Sequence, residues 1–377
     1  MTAMLRLGMV GGGPGSLIGP VHRMAAELDG RMRLTAGVFS RDEARSRAAA
    51  AAYGIVEDRL YPDYQAMFDA ERGRADGIQV VAITTPNHLH LPIARAALAA
   101  GVHVVCDKPA TATLAEALVL RELVRAAGLV FALTYTYSGY PMIRRARQLV
   151  ADGEIGPVRK IVVEYPQGWL AAPIERGGNR QAAWRADPAQ AGVGGCIGDI
   201  GVHAFHLAEY VAGIHVSAFI GDLRTMVPGR VLDDDCNMLL RFDNGASGVL
   251  IASQVSTGER NNLTLRVYGE RAALAWCHED CSSLHFATLE GETRVLHAGQ
   301  GRDPGLFRLP SGHPEGFIEA FGRIYSDVAD AIDGRRELID GTVPGIEAGV
   351  RSLLFVEAAV HARASSQGWT SWEGSLA

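Results

Sequence analysis

Two hydrophobic periods follow one another along the chain. In the first part, short apolar runs alternate with stretches of helical period. Leu5–Val10 is a continuous apolar run ending in glycine, the pattern of a buried strand. Val21, Met24, Ala25 and Leu28 share one helical face, and Gly30 follows as a stop. Leu34, Ala36 and Val38 alternate as a second strand. Ser40 and Glu43 have the spacing of a capping box before an alanine-rich helix that stops at Gly54. Residues 78–83, 102–106 and 130–133 read as further strands. A helix over 91–100 and another from the Thr113/Glu116 capping box to Gly128 separate them. This alternation predicts an α/β doubly wound parallel sheet, whose ligands sit at the carboxyl ends of the strands beside the switch point.

The pattern changes after Tyr137. A helix over 143–150, a strand over 160–164, a glycine-rich stretch and a helix over 202–211 come first. A meander follows. Residues 238–242 and 247–252 flank Asp243-Asn244-Gly245, a strong hairpin signal. Residues 263–267 and 272–276, then 284–288 and 293–296, form two more pairs around glycine turns. Helices over 317–332 and 346–364 end the chain. The expected division is residues 1–137 and residues 138–377. The second domain is α+β, with a large, mostly antiparallel, open-faced sheet. Helices on one face leave the other in need of a partner, which predicts a homodimer or homotetramer.

Composition narrows the function. Lys+Arg number 36 and Asp+Glu 42, a net charge of −6, which argues against a nucleic-acid partner. No apolar run approaches the ~20 residues of a membrane span, and Met1 to Val10 lacks the marks of a secretory signal. The cysteines Cys106, Cys196, Cys236, Cys277 and Cys281 are odd in number and scattered, which suits a reducing, cytoplasmic setting. Cys277, Cys281 and His285 lack the matching second pair of a zinc site, so no metal is expected.

The glycine surplus (44 of 377, against a usual ~7%) has a focus. The first strand runs into Gly11-Gly12-Gly13-Pro14-Gly15-Ser16-Leu17-Ile18-Gly19. A strand, a glycine turn and a helix N-terminus cradle a pyrophosphate on backbone N–H groups and the helix dipole. The expected contacts are Gly11, Gly13, Gly15, Ser16, Leu17 and Ile18, although the third glycine of G-x-G-x-x-G falls late, at Gly19. The first domain is thus read as a Rossmann dinucleotide-binding unit. The second strand ends in Phe39-Ser40-Arg41-Asp42, with no acid where NAD would need one. Ser40 and Arg41 can both reach a 2′-phosphate, so NAD(P) is expected, with NADP favoured over NAD.

The strand-end rule also selects Thr84-Thr85-Pro86-Asn87-His88-Leu89-His90 and Asp107-Lys108-Pro109. A third segment contains Asp199 and His203, four residues apart and on one face if a helix starts near Asp199. The alternative readings are a helix N-cap for Asp199 and a buried, satisfied histidine for His203. Together these motifs resemble the Gfo/Idh/MocA oxidoreductases over nearly the whole length. The carriers are the glycine loop with Val21-His22, Thr85-Pro86-Asn87-x-x-His90, Asp107-Lys108-Pro109 and Asp199-x-x-x-His203. The first motif differs in its enlarged loop, and the third has Asp where the family usually has Glu.

The resemblance implies hydride transfer between a nicotinamide and a secondary alcohol of a sugar, sugar derivative or cyclitol. Cofactor contacts are implied at Thr84, Thr85, Pro86, Asn87, His90, Asp107 and Lys108. It assigns His203 as general base, Lys108 as alkoxide stabiliser and Asp199 as orienting carboxylate, roles that suit their chemistry. Tyr137, Tyr165, Gln167, Trp169, Arg185 and His313, with Lys108, Asp199 and His203, are the expected contacts of a small polyhydroxylated substrate. An NADPH-dependent reductase of a keto-sugar or dicarbonyl, and a non-catalytic cofactor-sensing regulator, are the alternatives.

Overall fold

The computed structural model describes residues 4–300, 306–335, 341–363 and 368–371. The chain divides into two units, Met1–Gly139 with Phe317–Arg351, and Tyr140–Gly316 with Ser352–Ala377.

The first unit contains β1 (Leu5–Gly11), β2 (Met32–Val38), β3 (Val80–Thr84), β4 (His103–Cys106) and β5 (Phe131–Leu133), all parallel in the order β2-β1-β3-β4-β5. The order reverses beside β1, which puts the switch point at the strand that feeds the glycine loop. β3 is buried throughout, as its unbroken apolar run requires. The helix Leu114–Ala127 starts as its capping box predicts, with Thr113 Oγ1 accepting from the Glu116 amide at 3.2 Å. The helix Glu43–Tyr53 starts differently. Its cap is Asp42, which accepts from the Arg45 amide at 2.8 Å, while Ser40 accepts from the Asp42 amide.

The helix Ile18–Leu28 buries Val21, His22, Ala25 and Ala26, and leaves Met24 and Leu28 exposed. The stripe is rotated from the expected one because His22 has a polar partner. The helix Phe317–Ile332 packs on it, and Tyr325 Oη lies 2.6 Å from His22 Nδ1. Phe321 meets the same imidazole edge-on at 4.8 Å. Arg31 pairs with Asp330 and Asp333 at 2.8 and 2.9 Å. These contacts return residues 317–351 to the first unit, which a single cut after residue 137 does not capture. The helix Tyr64–Arg72 had no counterpart in the apolar pattern.

The second unit holds a nine-stranded sheet. Its strands are β6 (Val158–Pro166), β7 (Val216–Arg224), β8 (Asp235–Phe242), β9 (Ser247–Ser253), β10 (Thr264–Gly269), β11 (Ala272–Cys277), β12 (Ser283–Thr288), β13 (Thr293–His297) and β14 (Thr370–Ser371). The order is β13-β12-β11-β10-β6-β9-β8-β7-β14, with β6 and β9 parallel and the other neighbours antiparallel. All three predicted hairpins form. β7 escaped prediction because its register shifts between Val216 and Ala218, which breaks the period of two. Along β8, Cys236, Met238, Leu240 and Phe242 are buried while Asp235, Asn237, Leu239 and Arg241 face out. The helix Val202–Ala212 packs on the sheet and buries nearly every residue.

Burial of His22 has a measurable consequence. Desolvation pushes its imidazole down to about 4 from 6.5, against the pull of Asp107. The unfolded chain therefore binds this proton more readily between those values. Stability is lost as pH falls through that window. Between pH 7 and pH 5 the wild type should lose about 2 kcal/mol more than His22→Gln, measured by urea unfolding. Parallel losses in the two proteins would contradict this account.

Candidate functional site

In the first unit, Gly11, Gly12 and Gly15 all adopt positive φ, so the loop after β1 follows a path closed to most side chains. A Cβ on Gly19 would meet Gly12 Cα at 2.3 Å. The late third glycine therefore does the usual job of close helix–loop packing from three residues further on. Ser16 Oγ accepts from the Gly19 amide at 3.2 Å, and the helix Ile18–Leu28 begins there with its N–H groups at the loop. The bare backbone and helix start fit a pyrophosphate. Two side chains that sequence reasoning missed brace the loop. Tyr53 Oη donates to Gly12 O at 2.7 Å, and Arg45 Nη2 donates to Pro14 O at 2.7 Å. Ser40 and Arg41 follow β2, half-buried and exposed respectively. Asp42, the acid nearest to them in sequence, is occupied as the helix cap.

The segments after β3 and β4 are tied from behind. Thr84 Oγ1 donates to Val10 O at 3.2 Å, and Asn87 opens a 3-10 turn, Asn87–Leu89. His90 is fully buried, with Nδ1 2.8 Å from Pro109 O and Nε2 2.8 Å from Thr85 O. It joins the two segments rather than presenting itself to a ligand. Burial pushes its imidazole below the ordinary value, while both carbonyls and Asp107 oppose this. Asp107 Oδ1 accepts from the Lys108 amide at 3.0 Å and from Thr134 Oγ1 at 2.8 Å. Lys108, on a cis bond to Pro109, is half-buried. Pro86 is exposed and Thr85 half-buried. Tyr137 is buried in the turn Thr136–Gly139.

In the second unit, a π-helical turn, Ile197–Gly201, leads directly into Val202–Ala212. Asp199 is inside this turn, its own amide donating to Gly195 O at 2.9 Å, so it is not the N-cap. That service comes from Asp233. Its Oδ1 accepts from Gly195 N at 2.7 Å, its Oδ2 from Ile197 N at 2.8 Å, and its backbone carbonyl from Cys196 N at 2.8 Å. Burial pushes the Asp233 carboxyl up, against these amide bonds.

Asp199 Oδ2 accepts from Arg185 Nε at 3.0 Å and from Gln254 Nε2 at 2.8 Å. Arg185 was expected to touch substrate. Its guanidinium also bonds Gln181 and lies over the Trp184 ring at 4.2 Å and the Trp169 ring at 5.7 Å. Tyr165 meets the His203 ring at 6.3 Å. Tyr165 Oη and the Gln167 amide both donate to Asn261 Oδ1, and Trp169 Nε1 donates to Gln167 Oε1. His278 Nδ1 bonds Asn261 O at 2.7 Å, so its Nε2 accepts from Tyr140 Oη. Asp233, Gln254, Asn261 and His278 were missed. The run Asp233-Asp234-Asp235 at the head of a strand was the available signal for the first. His313 is exposed on a turn, with Nδ1 3.2 Å from Pro310 O. Cys277 Sγ bonds Asn262 and Cys281 Sγ bonds Glu315 O.

A parallel sheet with a glycine cradle at its switch point marks the first unit as an NAD-binding Rossmann unit, and the second unit carries Asp199 in a π turn and His203 in the helix that follows it. Family models agree. One described as an oxidoreductase family with an NAD-binding Rossmann fold matches residues 5–135, and the GFO/IDH/MocA C-terminal domain matches residues 143–275. The chain belongs to the Gfo/Idh/MocA oxidoreductases. It is 32% identical to the oxidoreductase YfiI of Bacillus subtilis, over 98% of this chain and 97% of that one. An inositol dehydrogenase homologue from Azotobacter vinelandii, solved with NAD+, superposes with a TM-score of 0.92 at 37% identity, covering 98% of each chain. Levoglucosan dehydrogenase, solved with NADH and levoglucosan, gives 0.85 at 25%, covering 98% of this chain and 99% of that one. Among the described residues, no helix is long and apolar enough to cross a membrane.

Proposed function

We propose that this protein is an NAD(P)-dependent dehydrogenase. It transfers a hydride between the nicotinamide and a secondary alcohol of a sugar, sugar derivative or cyclitol. The observation that carries this reading is the buttressed π turn, which offers Asp199 and His203 from one short segment. The inositol dehydrogenase homologue and levoglucosan dehydrogenase support polyhydroxylated ring substrates.

The nicotinamide supplies the hydride acceptor. His203 takes the hydroxyl proton, general-base work that an imidazole most often performs. The Lys108 ammonium stabilises negative charge as it develops on the alcohol oxygen. Asp199 accepts a substrate hydroxyl and so sets which carbon reacts. Tyr165 and Trp169 give an aromatic wall, and Tyr137, Gln167, Arg185 and His313 complete the proposed set around the substrate. The glycine loop, Thr84, Thr85, Pro86, Asn87, Asp107 and Lys108 serve the cofactor, with His90 shaping two of these segments. Ser40 and Arg41 favour NADP, supported by the engagement of Asp42 as a helix cap.

His203→Ala and Lys108→Ala should each lower kcat by at least ~100-fold on the best member of a panel of inositols, monosaccharides and anhydrosugars. Cofactor binding, read by fluorescence quenching, should survive in His203→Ala. Near-normal turnover in both variants ends the assignment. For the cofactor, Arg41→Ala should raise KM for NADP about tenfold while leaving NAD alone. An unchanged NADP/NAD ratio refutes the preference.

The outward face of the second unit's sheet carries Ile220, Leu239, Tyr268 and Val295, all exposed. We read this face as the homodimer or homotetramer contact. Leu239→Arg should then shift the mass in light scattering toward the monomer, and a monomeric wild type would dismiss the reading.

A further inference from the structure

The proposed role of Asp199 requires its carboxylate to hold one orientation while substrates come and go. Two donors converge on the same oxygen, Oδ2: Arg185 Nε at 3.0 Å and Gln254 Nε2 at 2.8 Å. They reach it from different parts of the chain, 14 residues before and 55 residues after. An ionised carboxylate only accepts, so the Gln254 amide must turn its NH2 group toward Asp199. Gln254 is buried, and its backbone is pinned on both sides. Its N–H donates to Asp234 O at 2.9 Å, and its carbonyl accepts from Leu170 N at 3.1 Å. Arg185 is held equally well. Gln181 accepts from its Nη1 through both a backbone and a side-chain oxygen, and Trp184 supports its flat face. A buried amide and a stacked guanidinium, each fixed by other groups, make a rigid two-point clamp. Charge-assisted bonds of this kind are roughly twice as strong as neutral ones.

We propose that Gln254 and Arg185 are positioning residues that clamp Asp199 through Oδ2, fixing its rotamer and keeping it ionised for substrate. This deepens the dehydrogenase reading, and rests on it for the role of Asp199. It also moves Arg185 from a substrate contact to a group that acts through another side chain. Asp233 completes the arrangement by fixing the backbone on which Asp199 sits, from the residue next to the one that holds the Gln254 amide.

Gln254→Glu is the informative variant. It keeps the side-chain shape but sets a second carboxylate against Oδ2, and two carboxylates so placed share one proton. The full-length protein, labelled with 13C at aspartate carboxyls, can be titrated by NMR, with Asp199→Asn identifying the signal. In Gln254→Glu the Asp199 midpoint should rise by about one unit or more, the usual scale for a like charge at this range. Arg185→Met should move it in the same direction, and Gln254→Met by less. In the kinetic arm, kcat of Gln254→Glu should fall about tenfold or more at neutral pH. Its acid limb should shift with the NMR midpoint, while KM for the cofactor holds. An Asp199 midpoint unmoved in Gln254→Glu overturns the clamp, even if activity falls, because a merely structural loss would not move the titration. Absence of turnover in the wild type across the whole panel would instead refute the dehydrogenase reading. The NMR arm would still decide the clamp.

Discussion

Asp233 meets the amides of Gly195, Cys196 and Ile197 in succession, two with its carboxylate and one with its own carbonyl. A helix start leaves several N–H groups without intrahelical partners, and burying even one unpaired costs roughly 1–3 kcal/mol. Here the start is glycine-rich and buried, with no Ser or Thr beside it to cap it. The π turn can exist because a carboxylate 36–38 residues away does so. The next residue, Asp234, turns the opposite way. It accepts from Met226 N and Val227 N and pairs with Arg230, whose guanidinium also forks onto Glu175. Three consecutive acids thus serve three directions, and the third, Asp235, begins β8. The segment that offers Asp199 and His203 is held at its start by Asp233, just ahead of β8, in addition to its own hydrogen bonds.

The first unit solves a related problem at its strand ends. Parallel strands stop abruptly there, and the chain must turn while leaving backbone groups for a ligand. The glycine loop does so by dispensing with side chains, and Tyr53 and Arg45 take up its carbonyls from the neighbouring helix. The segments after β3 and β4 use His90 as a bridge between two carbonyls and Asp107 as a common acceptor. In both units, groups far apart in sequence satisfy the backbone at irregular places.

That pattern explains what could be read from the sequence. Elements with strong periods were legible: the five parallel strands, the three hairpins, the Thr113 cap and the helices over 317–332 and 346–363. The division after residue 137 was not, because the return of residues 317–351 depends on partners such as His22 and Tyr325, 303 residues apart. β7 was hidden by a bulge, and the cap at Asp42 by a nearby Ser40 that offered a plausible rival. At the candidate site, residue types in motif spacing gave the glycine loop, Lys108, Asp199 and His203. Gln254 and Asn261 were illegible, and Asp233 showed only as part of an acidic run, since each matters through contacts that close long loops.

The helix after the π turn also shows how burial sorts residues of one type. His203 and His206 are separated by less than one turn. His206 is buried, stacked on Tyr210 at 5.6 Å, and desolvation pushes it down to about 3. At neutral pH it is a neutral part of the core and cannot cycle a proton usefully, because its conjugate acid is too costly to form there. His203 is only half-buried and meets the edge of the Tyr165 ring. The distinction between the two histidines arises from depth in the fold. A regular α-helical start would have rotated this pair relative to the sheet. The buried Asp233 carboxylate maintains the irregular turn that leads into this helix.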